Sequence, residues 1–371
     1  VVAAGTAATT SGQIGTELDT TTGNVRLEDA DWTWTSTDSL YSSGLYFQSA
    51  VDTGALWQFG TSCGGDNCLA FLPWYNSTIQ GYHRFGETAG NEYSFTRDAT
   101  SWHHFSTFGR AGSGDLVQIY EDNVLRDTYT QSASGENPSQ TGLQIGRYNG
   151  GNIYMDIDID ELRFSTVEPS LAWVAAEYTN LATSTDFYAT STQLTGGVSS
   201  IGWYDTSWNQ RIPFATAQNV VSGTQTDFPL YLDLSLLCTD FFTGVATDGS
   251  DIRITLGDGK TEVPYELVAI DTGAETGELY FKADITDGDE FYVYYDNEDA
   301  IAYAESAPFG SENVWSNGFQ AVYHFEEDAS GVGNPDVYLD STSNDYHGDD
   351  ETSSNDTVGL FGGGLELGDV F

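Results

Sequence analysis

Residues 319–371 read FQAVYHFEEDASGVGNPDVYLDSTSNDYHGDDETSSNDTVGLFGGGLELGDVF, and they have the form of the start of a β domain. Ala321, Tyr323 and Phe325 alternate with Val322, His324 and Glu326, the period of a half-buried strand. A polar loop follows, and Gly362-Gly363-Gly364 leads into the apolar positions of Leu365-Glu366-Leu367. A strand needs partners on its edges and a second sheet on its face. The segment is therefore expected to find the rest of its fold elsewhere, at the N-terminal end of this chain or in another copy of it.

The remainder of the 371 residues supports an all-β reading. Glycine is abundant at 41 residues, and Thr, Ser, Tyr and Val are common. Long helical patterns are few, and such a chain has room for two or three domains with cores. The formal net charge is -45, from 56 acidic and 11 basic residues, and the lysines are Lys260 and Lys282. That field repels nucleic acid and anionic membrane surfaces, which excludes both as partners. It favours solubility and divalent cations, and reads either as a solvated acidic surface or as one that also holds calcium sites.

No apolar run approaches the roughly 20 residues that span a bilayer. No basic-then-apolar leader opens the chain, so a secreted protein would be represented in mature form or as a fragment. Cys63 and Cys68 flank Gly64-Gly65-Asp66-Asn67. A disulfide would close that turn in an oxidising compartment, and two free thiols are the alternative. No CxxC is present, which argues against zinc, thioredoxin-type and c-type haem chemistry. Cys238, in an apolar run, reads as a buried spectator. Asn76-Ser77-Thr78 and Asn355-Asp356-Thr357 are N-glycosylation sequons, so Asn76 and Asn355 are glycosylation candidates.

From Asn24 onward strands recur between turns about 8 to 12 residues apart, the spacing of a sandwich. They include Trp32-Thr33-Trp34, Leu45-Tyr46-Phe47 and Ala55-Leu56-Trp57-Gln58-Phe59. Then come Trp102-His103-His104, Ile119-Tyr120-Glu121-Asp122-Asn123, Leu143-Gln144-Ile145-Gly146 and Ile159-Asp160-Glu161-Leu162-Arg163-Phe164. One helix follows, with Pro169 near its start and Leu171, Val174, Ala175, Tyr178 and Leu181 at helical spacing. In this order the motifs resemble the concanavalin A-like jelly roll of the laminin-G type, with Asn123 where that family prefers glycine.

After Leu194–Ser200 a second run of short strands begins. Trp203, Trp208 and Arg211, then Asp248-Gly249-Ser250-Asp251-Ile252-Arg253, Val263-Pro264-Tyr265-Glu266-Leu267 and Tyr292-Val293-Tyr294-Tyr295-Asp296-Asn297, carry a second likeness. They resemble an uncharacterised domain family of secreted and cell-surface prokaryotic proteins, habitually followed by a laminin-G-like jelly roll. The resulting division is an N-terminal strand or arm at 1–14, a jelly roll at 15–192 and a linker at 193–200. A second β-sandwich follows at 201–310, and 311–371 is the first part of another jelly roll. The fold class expected is all-β, with tandem β-sandwiches.

Several groups of residues are candidates for chemistry. Asp156, Asp158 and Asp160 alternate on one strand, about 7 Å apart for i, i+2. A solvated face, a calcium site and a glycosidase pair are the three readings, the last with Glu161 as acid. The laminin-G resemblance implies a structural calcium where the first loop meets the closing strand. It would draw on Asp340, Asp345 and the Gly348 carbonyl with Asp160, against the alternative that Asp340-Ser341-Thr342 is a capped turn. His103, His104, His324 and His347 read as structural. Trp57, Trp74, Tyr75 and Tyr82 are candidates for stacking on sugars, against the alternative of sandwich core. No catalytic residue is assigned.

Taken together, the sequence predicts an extracellular or cell-surface structural and adhesive protein with structural Ca2+. Its expected partners are other copies of itself, joined head-to-tail as the tail of one completes the sandwich of the next. The alternatives are a carbohydrate-binding, lectin-like module that takes surface glycans, and a glycosidase active on β-glucan.

Overall fold

A computed structural model describes residues 27–35, 39–47, 55–60, 69–73, 81–85, 91–93, 101–109, 116–130, 139–148, 153–154, 157–195, 202–327, 334–350, 356–358 and 363–367. The chain divides into two units. The first comprises the residues up to Glu168 together with Gly318–Asp340 and Asn344 onward. The second is Pro169–Asn317 with Ser341–Ser343.

The first unit is a sandwich of two antiparallel 8-stranded sheets, with an apolar core that includes Trp32, Trp57, Phe105, Ile159 and Phe164. One sheet runs Asn334–Tyr338, Gly348–Asp350, Leu27–Thr35, Ser139–Ile145, Trp57–Phe59, Leu69–Leu72, Gly81–Phe85 and Asn91–Tyr93. The other runs Asp356–Val358, Gly363–Leu367, Ile157–Ser165, Leu40–Phe47, His103–Gly109, Leu116–Glu121 and Val124–Thr130, and Phe319–Tyr323 joins it at Ile157–Ser165.

The tail strands are therefore part of their own chain's sandwich. Ile157–Ser165 carries Leu40–Phe47 on one edge, and two tail strands lie end to end on the other. Leu365–Leu367 pair with Ile157–Ile159, and Phe319–Tyr323 pair with Leu162–Ser165.

Between those two stretches the closing strand has a bulge, marked by the register shift between Asp160 and Arg163 and by φ 55° at Glu161. Its effect is a change of phase. Ile157 and Ile159 face the core before the bulge, and Leu162 and Phe164 face it afterwards. A bulge inserts one residue and so shifts the side-chain alternation by one. The strand opposite comes close here: a Cβ on Gly44 would lie 3.0 Å from the Glu161 carbonyl oxygen.

The bulge places Glu161 in the interior, between Arg163 and His324. Glu161 Oε2 accepts from Arg163 at 2.9 Å, and Oε1 lies 2.7 Å from His324 Nδ1. All three residues are buried. Burial alone would raise the Glu161 carboxyl, but the charges and hydrogen bonds of His324 and Arg163 outweigh it and hold it at about 2. His324 of this ion-paired group comes from the tail, and Glu161 and Arg163 come from the body.

The second unit is a smaller sandwich. Its larger sheet has six strands, running Tyr188–Thr190, Gln210–Thr216, Glu290–Tyr295, Arg253–Leu256 and Glu262–Val263, with Leu194–Thr195 also paired to Gln210–Thr216. Its smaller sheet is Gln225–Asp233, Thr276–Ile285 and Tyr265–Asp271. Ile212, Phe214, Leu230, Ile254, Leu279, Phe281 and Val293 are among the core residues.

The helix Leu171–Ala182, which the sequence division included in the 15–192 jelly roll, belongs to this second unit. Ser170 caps it, its hydroxyl accepting from the Trp173 N–H at 3.1 Å. Buried Asn180 holds it down by donating to the Tyr231 carbonyl (2.9 Å) and accepting from the Tyr231 N–H (2.7 Å). Thr195 and Leu194, expected in a linker, are paired with Gln210 and Arg211. Val314 and Trp315, read as part of the tail domain, are buried in the second unit. No helix among the described residues is long and apolar enough to cross a membrane.

Candidate functional site

The residues expected to hold calcium lie as follows among the described residues. Asp340 is buried and its carboxylate accepts from two backbone donors, the Val322 N–H at 2.9 Å and the Tyr346 N–H at 3.0 Å. Its own N–H donates to His347 Nδ1 at 3.0 Å. Asp160 is fully buried at the bulge, Asp158 is half-buried, and Asp345 is exposed with φ 55°. Gly348 begins the strand Gly348–Asp350. Among the described residues, the metal-ligating side chains that cluster in a group of three are His103, Glu121 and Asp122. The Asp160, Asp340 and Asp345 carboxylates form no such group.

Other candidates fare differently. Trp57 is fully buried, in edge-to-face contact with Phe59 and Phe164, so it offers no face to a sugar. This is a correction, and its cause is the inward phase of the Trp57–Phe59 strand. Glu161, the candidate acid of the glycosidase reading, is buried, doubly ion-paired and held ionised, so it has no proton to donate near neutral pH. Tyr82 stands on the strand Gly81–Phe85, and its side chain is outside the described residues, as are Asp156, Cys63, Cys68, Trp74, Tyr75, Asn76 and Asn355. Cys238 is a free cysteine, half-buried rather than fully buried, at the cap of Thr239–Gly244.

A cleft of about 280 Å³ lies in the second unit. Its floor is the start of Tyr265–Asp271, the edge strand of the smaller sheet, which contributes Tyr265, Glu266 and Leu267. Its walls are the turn at Asp248-Gly249 and the segment from Ala302 to Ser311. The wall segment is tied to the floor where the Tyr265 N–H donates to the Phe309 carbonyl at 3.2 Å. Gly310 is required there, because a Cβ would press into the carbonyl oxygens of Ala304 and Glu305.

The two aromatic rings of the cleft are fixed by one buried arginine. The Arg253 guanidinium lies 4.2 Å from the centre of the Tyr303 ring and 5.2 Å from that of Trp208. It donates to the Tyr265 hydroxyl (3.2 Å) and to the carbonyls of Ile301 (2.8 Å) and Ser250 (3.1 Å). Glu262 stands opposite it at 3.7 Å and accepts from Tyr303 (2.9 Å) and Tyr204 (2.6 Å). Burial pushes the Tyr265 hydroxyl up to about 12, with Arg253 opposing the rise. Burial and the bond to Glu262 also push Tyr204 well up. Both therefore remain neutral hydroxyls at ordinary pH.

Tyr265 and Tyr303 meet at 62° with ring centres 6.3 Å apart. Around them stand three carboxylates. That of Glu266 is engaged by Trp315 Nε1 (2.5 Å) and the Ser341 hydroxyl (2.6 Å), while those of Asp248 and Glu305 are on exposed residues. Aromatic faces beside acceptor oxygens can hold a small ligand that has an apolar face and hydroxyl or amine donors.

No protein-family model matches the sequence, and no curated protein matches it. Among solved structures, a heptameric SAP-like pentraxin from Limulus polyphemus is similar at 12% identity, over 46% of this chain and 81% of that one, with a TM-score of 0.33. Domain 4 of AbnA, a GH43 extracellular arabinanase from Geobacillus stearothermophilus in complex with arabinotriose, is similar at 15% identity, over 45% of this chain and 79% of that one (TM-score 0.34). An endo-beta-1,4-glucuronan lyase from Trichoderma reesei is similar at 14% identity, over 39% and 76% (TM-score 0.27).

The cleft residues went unmarked in the sequence reading because each lies in an ordinary strand or turn. Asp248–Arg253 and Val263–Leu267 are motifs by their spacing, yet the spacing does not show that Arg253 reaches Tyr303. The usable signal was an arginine in a strand otherwise apolar, Ile252-Arg253-Ile254, since such a side chain needs partners when buried.

Proposed function

We propose that this chain is a carbohydrate-binding protein that works outside the cell and takes small neutral or amine-bearing sugars in the Tyr265–Tyr303 cleft. The observation that carries this reading is the joining of two rigidly held tyrosine rings with the carboxylates of Asp248 and Glu305 around one cavity. Aromatic faces stack on the apolar face of a pyranose, and carboxylates accept from its hydroxyls. The cavity is near the lower end of the roughly 300–1,000 Å³ of small-molecule sites, which suits one or two sugar rings. A net charge of -45 opposes sulfated or uronic glycans. The extracellular setting draws on the resemblance of the second unit's motifs to secreted prokaryotic domains.

Binding is favoured over hydrolysis because burial holds Tyr265 as a neutral hydroxyl and Glu266 is already engaged by two donors. The test is a glycan array followed by calorimetric titration of the best neutral ligand. Saturable binding that Tyr303→Ala weakens supports the reading, and an array with no neutral or amine-bearing sugar bound refutes it.

A further inference from the structure

The first sandwich contains a second, separate constellation on the hairpin formed by Leu116–Glu121 and Val124–Thr130. Its two-residue turn, Asp122-Asn123, has φ of 50° and 57°, the left-handed pair that matches a hairpin's twist. The turn aims Asp122 back at the neighbouring strand His103–Gly109. Asp122 Oδ2 lies 2.7 Å from His103 Nδ1, and Glu121 Oε1 lies 4.0 Å from the same nitrogen. The ligand atoms of the three side chains all lie within 4.8 Å of one another.

The outer oxygen of each carboxylate is held from behind. Tyr46 donates its hydroxyl to Glu121 Oε2 at 2.8 Å, and the His104 N–H donates to Asp122 Oδ1 at 3.0 Å. The Asp122 N–H in turn donates to the His104 carbonyl at 2.8 Å. These bonds fix the rotation of both carboxylates so that their inner oxygens turn toward His103 Nδ1. Oriented ligands with outer hydrogen bonds are the arrangement found behind metal sites.

We propose that His103, Glu121 and Asp122 form a divalent-metal site for a transition-metal ion of the Zn2+ class. An ion about 2.0–2.2 Å from one imidazole nitrogen and two carboxylate oxygens separates its ligands by roughly 3.4 Å. The observed separations of 2.7 and 4.0 Å fall on either side of that distance, so displacements of roughly 0.6–0.7 Å in the two carboxylate oxygens open the seat. The Asp122 side chain is 30% exposed, which gives the ion a path from solvent and a water for its fourth position. A nitrogen with two oxygens suits Zn2+, Co2+ or Mn2+, whereas Ca2+ takes six to eight oxygens. The site does not depend on the sugar cleft, which lies in the other unit.

The experiment uses the full chain, stripped with chelator and dialysed. Zn2+ is titrated calorimetrically against a large excess of Ca2+, which occupies the diffuse acidic surface. The expected result is one Zn2+ per chain, with a visible Co2+ spectrum of mixed nitrogen and oxygen ligation. Glu121→Gln, which keeps an acceptor for Tyr46, should weaken Zn2+ at least tenfold, and His103→Asn should abolish the Co2+ bands. His347→Gln should leave both unchanged. Near-UV circular dichroism of the Glu121→Gln protein shows that the hairpin is intact. Absence of saturable Zn2+ binding over Ca2+, or equal affinity in the intact Glu121→Gln and wild-type chains, overturns the proposal.

Discussion

Glu161→Gln tests how the tail is held to the body of the first sandwich. The substitution keeps the shape of the side chain and removes its charge. It leaves the Arg163 guanidinium, fully enclosed, without its carboxylate partner. Breaking a buried ion pair from one side costs about 3–5 kcal/mol. The titration of Glu161 gives a second route to the magnitude. A fall of its carboxyl from 4.5 to about 2 corresponds to roughly 3 kcal/mol at about 1.4 kcal/mol per pH unit. The two routes agree.

Because the folded-state value is depressed, this stabilisation is fully present above pH about 4.5 and is lost as pH falls toward 2. For a unit of this size about 3 kcal/mol moves the midpoint by roughly 6–12 °C. Scanning calorimetry of wild type and Glu161→Gln between pH 7 and 2 is the assay. The variant should lose the first unit's transition temperature at neutral pH and also much of its fall in acid. The transition of the second unit should not move. A midpoint within about 1 °C of wild type at pH 7, or an unchanged acid slope in the variant, refutes the buried-pair account.

Three further outcomes follow from the geometry. Asp340→Ala leaves the Val322 and Tyr346 N–H groups without their carboxylate and should destabilise the first unit by about 2 kcal/mol, read by urea unfolding. Gly310→Ala forces the cleft wall away from the Ala304 and Glu305 carbonyls and should cost about 1–3 kcal/mol in the second unit. Arg253→Lys keeps the charge but loses the planar stack on Tyr303 and the forked donation to Ile301 and Tyr265. It should lower the second unit's melting temperature and weaken sugar binding together, because Lys cannot reproduce that geometry.

Much of the architecture is legible in the residues. The alternation of Ala321, Tyr323 and Phe325 announces a strand that needs a body, and the body is the chain's own. Ile157, Ile159, Leu162 and Phe164 also carry the bulge in plain view, since their parity changes at Asp160-Glu161. Period 2 alone did not foresee that Asp160, one residue before that change, is enclosed. The helix was legible in its spacing, but not its allegiance, which is set by Asn180 and Trp173 meeting Tyr231 and Phe228. Trp57 was not distinguishable from an exposed tryptophan, because Trp57-Gln58-Phe59 alternates without showing which of its faces meets the core. The Tyr265–Tyr303 cleft and the His103 cluster each depend on side chains brought together across long separations, and no local pattern encodes such meetings.

Whether the Tyr265–Tyr303 cleft holds a sugar is decided by one comparative titration. A neutral oligosaccharide selected on the array is titrated into wild type and Tyr303→Ala, with the unfolding midpoint of each recorded alongside. Saturable binding to wild type is expected, with an affinity at least tenfold weaker in a Tyr303→Ala chain that remains folded. Undiminished affinity in that folded variant would contradict it.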